Sequence, residues 1–117
     1  MKIDISIFGE QKPRQRKDIF KCNEPVIVAL NRLNLKGFHI LEVHWFKPDG
    51  KRQEVTRTKY NEVKNKVQDV QFKLVISPKE FSFFDPMEFW IPFIGRWEAR
   101  VFIDQKIVDK KFFKVEC

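Results

Sequence analysis

The chain has 117 residues, of which 43% are hydrophobic and 33% are charged. This length corresponds to one domain, and the composition is that of neither a disordered tail nor a membrane span. Lys and Arg number 23 and Asp and Glu number 16, which gives a net charge of +7. We therefore expect residues 1–117 to form a single basic domain with a core of its own.

Apolar and polar residues alternate from the N-terminus, which is typical of β-strands. Ile3, Ile5 and Ile7 share one face of a first strand, and the polar, basic stretch Gln11–Lys17 then predicts a loop or an irregular edge. Pro25–Leu33 is apolar on both faces where it begins. This predicts a strand in the interior of a sheet.

The next two strands form a hairpin. Phe38–Phe46 and Arg52–Tyr60 flank the turn sequence Pro48-Asp49-Gly50. Proline presets φ for such a turn, and glycine accepts a positive φ. The returning arm carries charge and threonine on both faces, which indicates a protected edge strand.

A polar link at Asn61–Gln68 leads to the strongly alternating segment Asp69–Ser77. Helical spacing is confined to the valines of Tyr60–Val70, and valine is a mediocre helix former. A closing hairpin follows, with arms Gly95–Ile103 and Ile107–Val115 joined by a turn at 104–106. About seven short strands in a chain of this length predict an all-β, antiparallel two-sheet sandwich.

Two stretches carry a resemblance to known domains. Trp45–Lys51 looks like the third strand and following turn of immunoglobulin-like domains, and Gly95–Val101 with Phe113–Val115 resembles their last hairpin. Position 99 is Ala, so the disulfide of antibody domains cannot form there. The resemblance implies an immunoglobulin-like or fibronectin-like sandwich and no particular family, and such a fold is compatible with unrelated functions.

Few residues suggest catalysis. Glu42 and His44 share a strand face and are candidates for an acid/base or ligand pair, although a cross-strand polar pair explains them more simply. His39 lies on the opposite face from His44, so the two cannot share a metal. The loop carboxylates Glu80, Asp85 and Glu88 are expected to be solvated. We expect neither enzymatic activity nor a metal or cofactor.

The two cysteines, Cys22 and Cys117, do not form a Cys-x-x-Cys motif. Two free thiols are the simpler expectation, and a bridge between them is the alternative. No apolar run approaches the roughly 20 residues of a membrane-spanning helix. The N-terminal residues alternate apolar with polar and lack the uninterrupted apolar region of a secretory signal, so we expect no such signal here. A natural start at Met1 predicts a cytoplasmic protein, whereas an excised or mature domain leaves an extracytoplasmic location open.

The most distinctive segment is residues 81–94, where apolar residues and two prolines replace the alternation. Such a loop either caps the core or forms an exposed patch for a partner or a second copy of the chain. We expect a non-enzymatic protein-binding or assembly module in which the basic surface steers an acidic partner to this loop. The candidate partner-binding residues are Phe83, Phe84, Phe89, Trp90 and Phe93.

Three other functions fit the sequence. A sugar could stack on exposed rings of the sandwich, which defines a carbohydrate-binding module. Dispersed lysines and arginines could bind a polyanion such as nucleic acid or anionic lipid. The domain could also be a passive accessory piece of a larger assembly.

Overall fold

The computed structural model describes residues 3–10, 15–76 and 91–116. Within these ranges eight strands form two sheets. The first sheet has the order β1-β3-β6 and the second has the order β2-β8-β7-β4-β5. The strands are β1 (Asp4–Gly9), β2 (Ile19–Lys21), β3 (Val26–Leu33), β4 (Phe38–Phe46), β5 (Arg52–Asn61), β6 (Gln68–Leu74), β7 (Gly95–Ile103) and β8 (Lys106–Glu116).

The core lies between the two sheets and is built largely from alternate residues of the strands, although β5 contributes only Tyr60. The first sheet contributes aliphatic side chains and Phe72, and the second contributes five rings together with aliphatic side chains. Phe113 is the centre of the ring cluster. Its ring centroid lies 5.6 Å from that of Phe20, 5.8 Å from that of Trp97 and 6.1 Å from that of Trp45. All four rings are almost completely buried.

The predicted hairpin is confirmed. β4 and β5 pair antiparallel, and Gly50 closes the turn with φ +85° while its N–H donates to the carbonyl of Lys47. β5 is the last strand of its sheet, as its charged pattern predicted. β3 is the middle strand of the three-stranded sheet, where its apolar character on both faces is required.

The closing hairpin is also confirmed, with a shorter turn than expected. Only Asp104 and Gln105 separate β7 from β8, and both have positive φ. The predicted polar link runs from the end of β5 to Gln68, where β6 begins. In the described part of the chain no helix is long and apolar enough to cross a membrane.

The expectation of a purely antiparallel sandwich is wrong at one edge. β2 pairs in parallel with the end of β8, from Ile19 opposite Lys114 to Lys21 opposite Glu116. β1 belongs to the other sheet, so the chain crosses between the sheets before it reaches β2 and arrives running in the same direction as β8. A three-residue strand is too short for its alternation to stand out in the sequence.

The expectation of two free thiols is wrong for Cys22, which is disulfide-bonded. Its backbone N–H donates to the carbonyl of Glu116 at 3.2 Å, so the parallel pairing brings Cys22 to the C-terminal end of β8. The sequence has one other cysteine, Cys117, which lies outside the described residues.

Phe112 and Phe113 are adjacent on β8 and test whether successive side chains alternate between the outer face and the core. Phe113→Ala removes the ring at the centre of the core cluster and should lower the free energy of unfolding by about 3–5 kcal/mol. The matched control is Phe112→Ala, which removes the same side chain from the outer face and should cost about 1 kcal/mol or less. Urea unfolding of both variants measures the difference. Similar losses for the two would contradict the alternation.

Candidate functional site

The outer face of the five-stranded sheet gathers the residues that alternate with the core positions. Strand register brings together side chains that are far apart in the sequence, and basic groups outnumber carboxylates by eight to three. We call this surface the cationic face. Its basic residues are Lys21, Arg52, Arg57, Lys59, Arg96, Arg100, Lys110 and Lys114; its acidic residues are Glu42, Glu98 and Glu116; and its apolar residues include Ile19, Phe46, Phe102, Ile107 and Phe112.

Arginine groups lie over phenylalanine rings on the cationic face. The guanidinium of Arg96 is 3.9 Å from the ring centroid of Phe112, and that of Arg100 is 4.1 Å from the centroid of Phe46. The Nζ of Lys110 lies 5.8 Å from the ring centroid of Phe112. Such cation–π contacts hold the long side chains in place while the charged groups stay near solvent. Three of the positive groups, those of Arg96, Arg100 and Lys110, are therefore positioned by rings of the same surface.

Two carboxylates of the cationic face are held by neighbouring basic groups. Glu98 accepts a hydrogen bond from Arg100 at 3.1 Å and lies 4.0 Å from Lys110. Glu42 is buried and accepts from Arg57 at 2.9 Å, whereas the side chain of Arg57 remains 65% exposed. After these pairings the surface keeps an excess of positive charge, because its eight basic groups outnumber its three carboxylates.

The cationic face also exposes apolar groups. Ile19 is 51% exposed, Ile107 is 54% exposed and Phe112 is 38% exposed, and all three lie on the β2 and β8 side. Apolar groups flanked by charges are the usual composition of a protein interface, with anchors surrounded by a polar rim.

Glu42 and His44 share the outer face as expected. Their carboxylate Oε2 and ring Nε2 are 3.6 Å apart, and the ring of His44 packs against that of Phe102 with centroids 4.2 Å apart. Within the described residues the buried Nε2 of His44 makes no hydrogen bond. Arg57 supplies the closest contact of the carboxylate. Glu42 thus forms a cross-strand polar pair with Arg57 of β5, and His44 lies beside it on the cationic face.

His39, near the start of β4, forms a hydrogen bond with Asp104 of the β7–β8 turn. Its Nδ1 lies 2.5 Å from Asp104 Oδ2 and its Nε2 lies 2.7 Å from the Lys36 carbonyl oxygen. Both partners are acceptors, so they favour the doubly protonated ring. The hydrogen bond to Asp104 and then that to the carbonyl raise the pKa of His39 above 6.5. The Ile40 N–H and then His39 lower the pKa of Asp104 below 3.8.

Of the five candidate partner-binding residues, the structure describes Phe93. Phe83, Phe84, Phe89 and Trp90 lie outside the described residues. Phe93 is half-buried, packs against the core and stacks on Trp97, with centroids 6.3 Å apart and the ring planes at 17°. Trp97 Nε1 also donates to the Phe93 carbonyl at 2.8 Å. For Phe93 the geometry favours the capping interpretation.

The loop carboxylates Glu80, Asp85 and Glu88 also fall outside the described residues. Among the residues that the structure does describe, no three His, Cys, Asp or Glu side chains are grouped to hold a metal. Sequence reasoning singled out Glu42 and His44 but missed the ring contacts around them. The signal in the sequence that could have predicted these contacts is the set of polar and aromatic residues that alternate with the core residues of β4, β7 and β8.

Comparison with known proteins identifies the fold alone. No family model matches the chain, and no curated protein is significantly similar to it. An immunoglobulin-like protein from Pseudomonas aeruginosa is 16% identical with a TM-score of 0.52, over 97% of this chain and 94% of that one. The chain is an immunoglobulin-like β-sandwich at the level of fold.

A second similar structure is an alkylpurine DNA glycosylase from Pseudomonas fluorescens, bound to DNA containing an abasic site analog. The identity is 9% and the TM-score is 0.55. The match covers all of this chain but only 32% of the glycosylase, so the chain corresponds to about a third of that enzyme.

The raised pKa of His39 gives a pH-dependent contribution to stability. That contribution is fully present below the unfolded pKa of 6.5 and is lost as the pH rises through the folded pKa. The lowered pKa of Asp104 makes its own contribution present above 3.8 and lost only as the pH falls further. His39→Gln should therefore lose more stability relative to wild type at about pH 5.5 than at about pH 9. Urea unfolding at both pH values tests this, and an equal loss would contradict it.

Proposed function

We propose that this domain is a non-enzymatic binding module that docks an acidic protein partner on its cationic face. The observation that carries the proposal is the fixed excess of basic groups around exposed apolar side chains. Arg96, Arg100 and Lys110 are positioned beside the rings of Phe46 and Phe112. A partner can therefore meet charge and apolar anchors on one surface.

The two kinds of group have different roles in docking. Eight basic side chains against three carboxylates attract an acidic partner and raise its rate of association. The exposed apolar side chains of Phe112, Ile107 and Ile19 are then buried against the partner, and water is excluded from the interface. Affinity from a few apolar anchors and specificity from charge is the usual division in protein interfaces.

Nucleic acid is the second candidate, because the same basic groups would bind phosphates and one similar structure is a DNA glycosylase bound to DNA. One feature favours protein instead. The ring of Phe46 is half-buried and lies against the Arg100 guanidinium, whereas single-stranded nucleic acid needs open rings on which bases stack.

The carbohydrate alternative has less support in the described part of the chain. Trp45 and Trp97 are completely buried, so neither offers its ring to a sugar. Trp90 lies outside the described residues and remains a candidate from the sequence.

Binding to a glutamate–tyrosine copolymer tests the proposal, since this probe combines acidic groups with apolar anchors. Phe112→Ala should weaken binding about tenfold because it removes an anchor, and Lys110→Glu should weaken it about fivefold because it reverses a charge. Fluorescence anisotropy gives both dissociation constants. The matched control is Lys73→Glu, which makes the same charge change on β6 of the other sheet and should change affinity less than about twofold.

A short DNA duplex is measured in parallel at several salt concentrations. Tighter binding to DNA than to the copolymer, with a steep salt dependence, would support nucleic acid instead. An equal effect of Lys73→Glu and Lys110→Glu would show that net charge and not the cationic face determines binding. Failure to bind either probe would leave the passive accessory function.

A further inference from the structure

One edge of β5 has no neighbouring strand among the described residues. β5 is the last strand of its sheet, and within the described residues it pairs only with β4. From Glu54 to Asn61 the register with β4 runs without a shift, and β5 contains neither proline nor glycine. A straight, regular edge of this length is a template for one more strand.

The direction of the backbone groups follows from one hydrogen bond. Glu62 N–H donates to the carbonyl of Gly37 at 3.0 Å, so this pair is a hydrogen-bonded pair that continues the β4–β5 register. Such pairs alternate along an antiparallel ladder. The intervening residues therefore direct their N–H and C=O groups away from β4, and these residues are Val55, Arg57 and Lys59.

One end of this edge is already occupied. The side chain of Gln68 donates from Nε2 to the Asn61 carbonyl at 2.8 Å. The stretch available for pairing is thus Val55–Lys59, close to the length of an average strand.

Charge selects what can pair with this edge. Arg57 and Lys59 carry the outward-directed backbone groups, and both side chains are exposed on the cationic face. A second copy of β5 would place these like charges against each other, which disfavours pairing between copies. An acidic strand would instead place carboxylates opposite them.

We propose that an extended acidic segment of the partner protein adds to β5 as an antiparallel strand, with its acidic residues opposite Arg57 and Lys59. This inference rests on the proposed function and specifies how the partner engages. The intervening residues Thr56 and Thr58 face the other side, so the matching segment alternates Glu or Asp with Val, Ile or Thr. Its backbone amides at the acidic positions donate to the edge of β5.

The probe is a peptide of about eight residues that alternates Glu and Val. In the antiparallel arrangement the N–H groups of its glutamates point at β5, and those of its valines point away. N-methylation at the glutamates should weaken binding about tenfold or more, because several hydrogen bonds are lost, whereas N-methylation at the valines should change it less than about twofold. Amide exchange at Val55, Arg57 and Lys59 should slow at least about tenfold when the unmethylated peptide binds.

Two variants test the charge selection. Lys59→Glu should weaken binding of the Glu–Val peptide about fivefold, and Lys73→Glu on the other sheet should change it less than about twofold. A Lys–Val peptide should bind at least tenfold more weakly than the Glu–Val peptide.

The outcomes separate this inference from the proposed function. If the Glu–Val peptide binds, Phe112→Ala weakens it and both methylated forms bind equally, strand addition is overturned while docking on the cationic face stands. If neither this peptide nor the glutamate–tyrosine copolymer binds, both are overturned. Equal binding of the Lys–Val peptide, or dimers of the free protein paired through β5, would overturn strand addition by an acidic segment.

Discussion

The structure depends on the packing of three rings around Phe113 between the two sheets. Trp45, Trp97 and Phe20 contact it from three different strands. These large side chains are almost completely buried, and burial of aromatic surface is the strongest single contribution to such a core. Because successive side chains of a strand point to opposite faces, fixing one row inward also fixes the next row outward. The cationic face is therefore a consequence of the core.

The outward row is ordered by contacts of its own. Arginines lie over rings, as Arg100 does over Phe46, and Glu42 and Glu98 are held by neighbouring basic groups. The charges thus have fixed positions, which reduces the entropy lost when a partner binds. The same sheet ends in β5, whose charges hinder pairing with a second copy and match an acidic strand. Docking on the face and pairing at the edge would use one continuous surface.

Much of the fold follows from local patterns in the sequence. Alternation predicts most of the strands, the Pro48–Gly50 turn predicts the β4–β5 hairpin, and charge on both faces predicts the β5 edge. The parallel pairing of β2 with β8 was not predictable, because it joins segments near opposite ends of the chain. A disulfide at Cys22 was only the alternative expectation, because cysteines without a Cys-x-x-Cys motif carry no spacing signal. The cationic face was missed because its basic residues are dispersed along the sequence, and strand register alone brings Phe46, Arg100 and Phe112 together.

Oxidative footprinting with and without the glutamate–tyrosine copolymer tests the central claim most directly, because it reports the exposure of individual side chains. The account predicts that Phe112 and Ile107 are oxidised in the free protein and protected by the copolymer, whereas Phe113 and Trp97 are unreactive in both states. Oxidation of Phe113 as fast as Phe112 would contradict the division of the strands into a core row and a cationic face. Protection confined to β6 would place the binding surface on the other sheet.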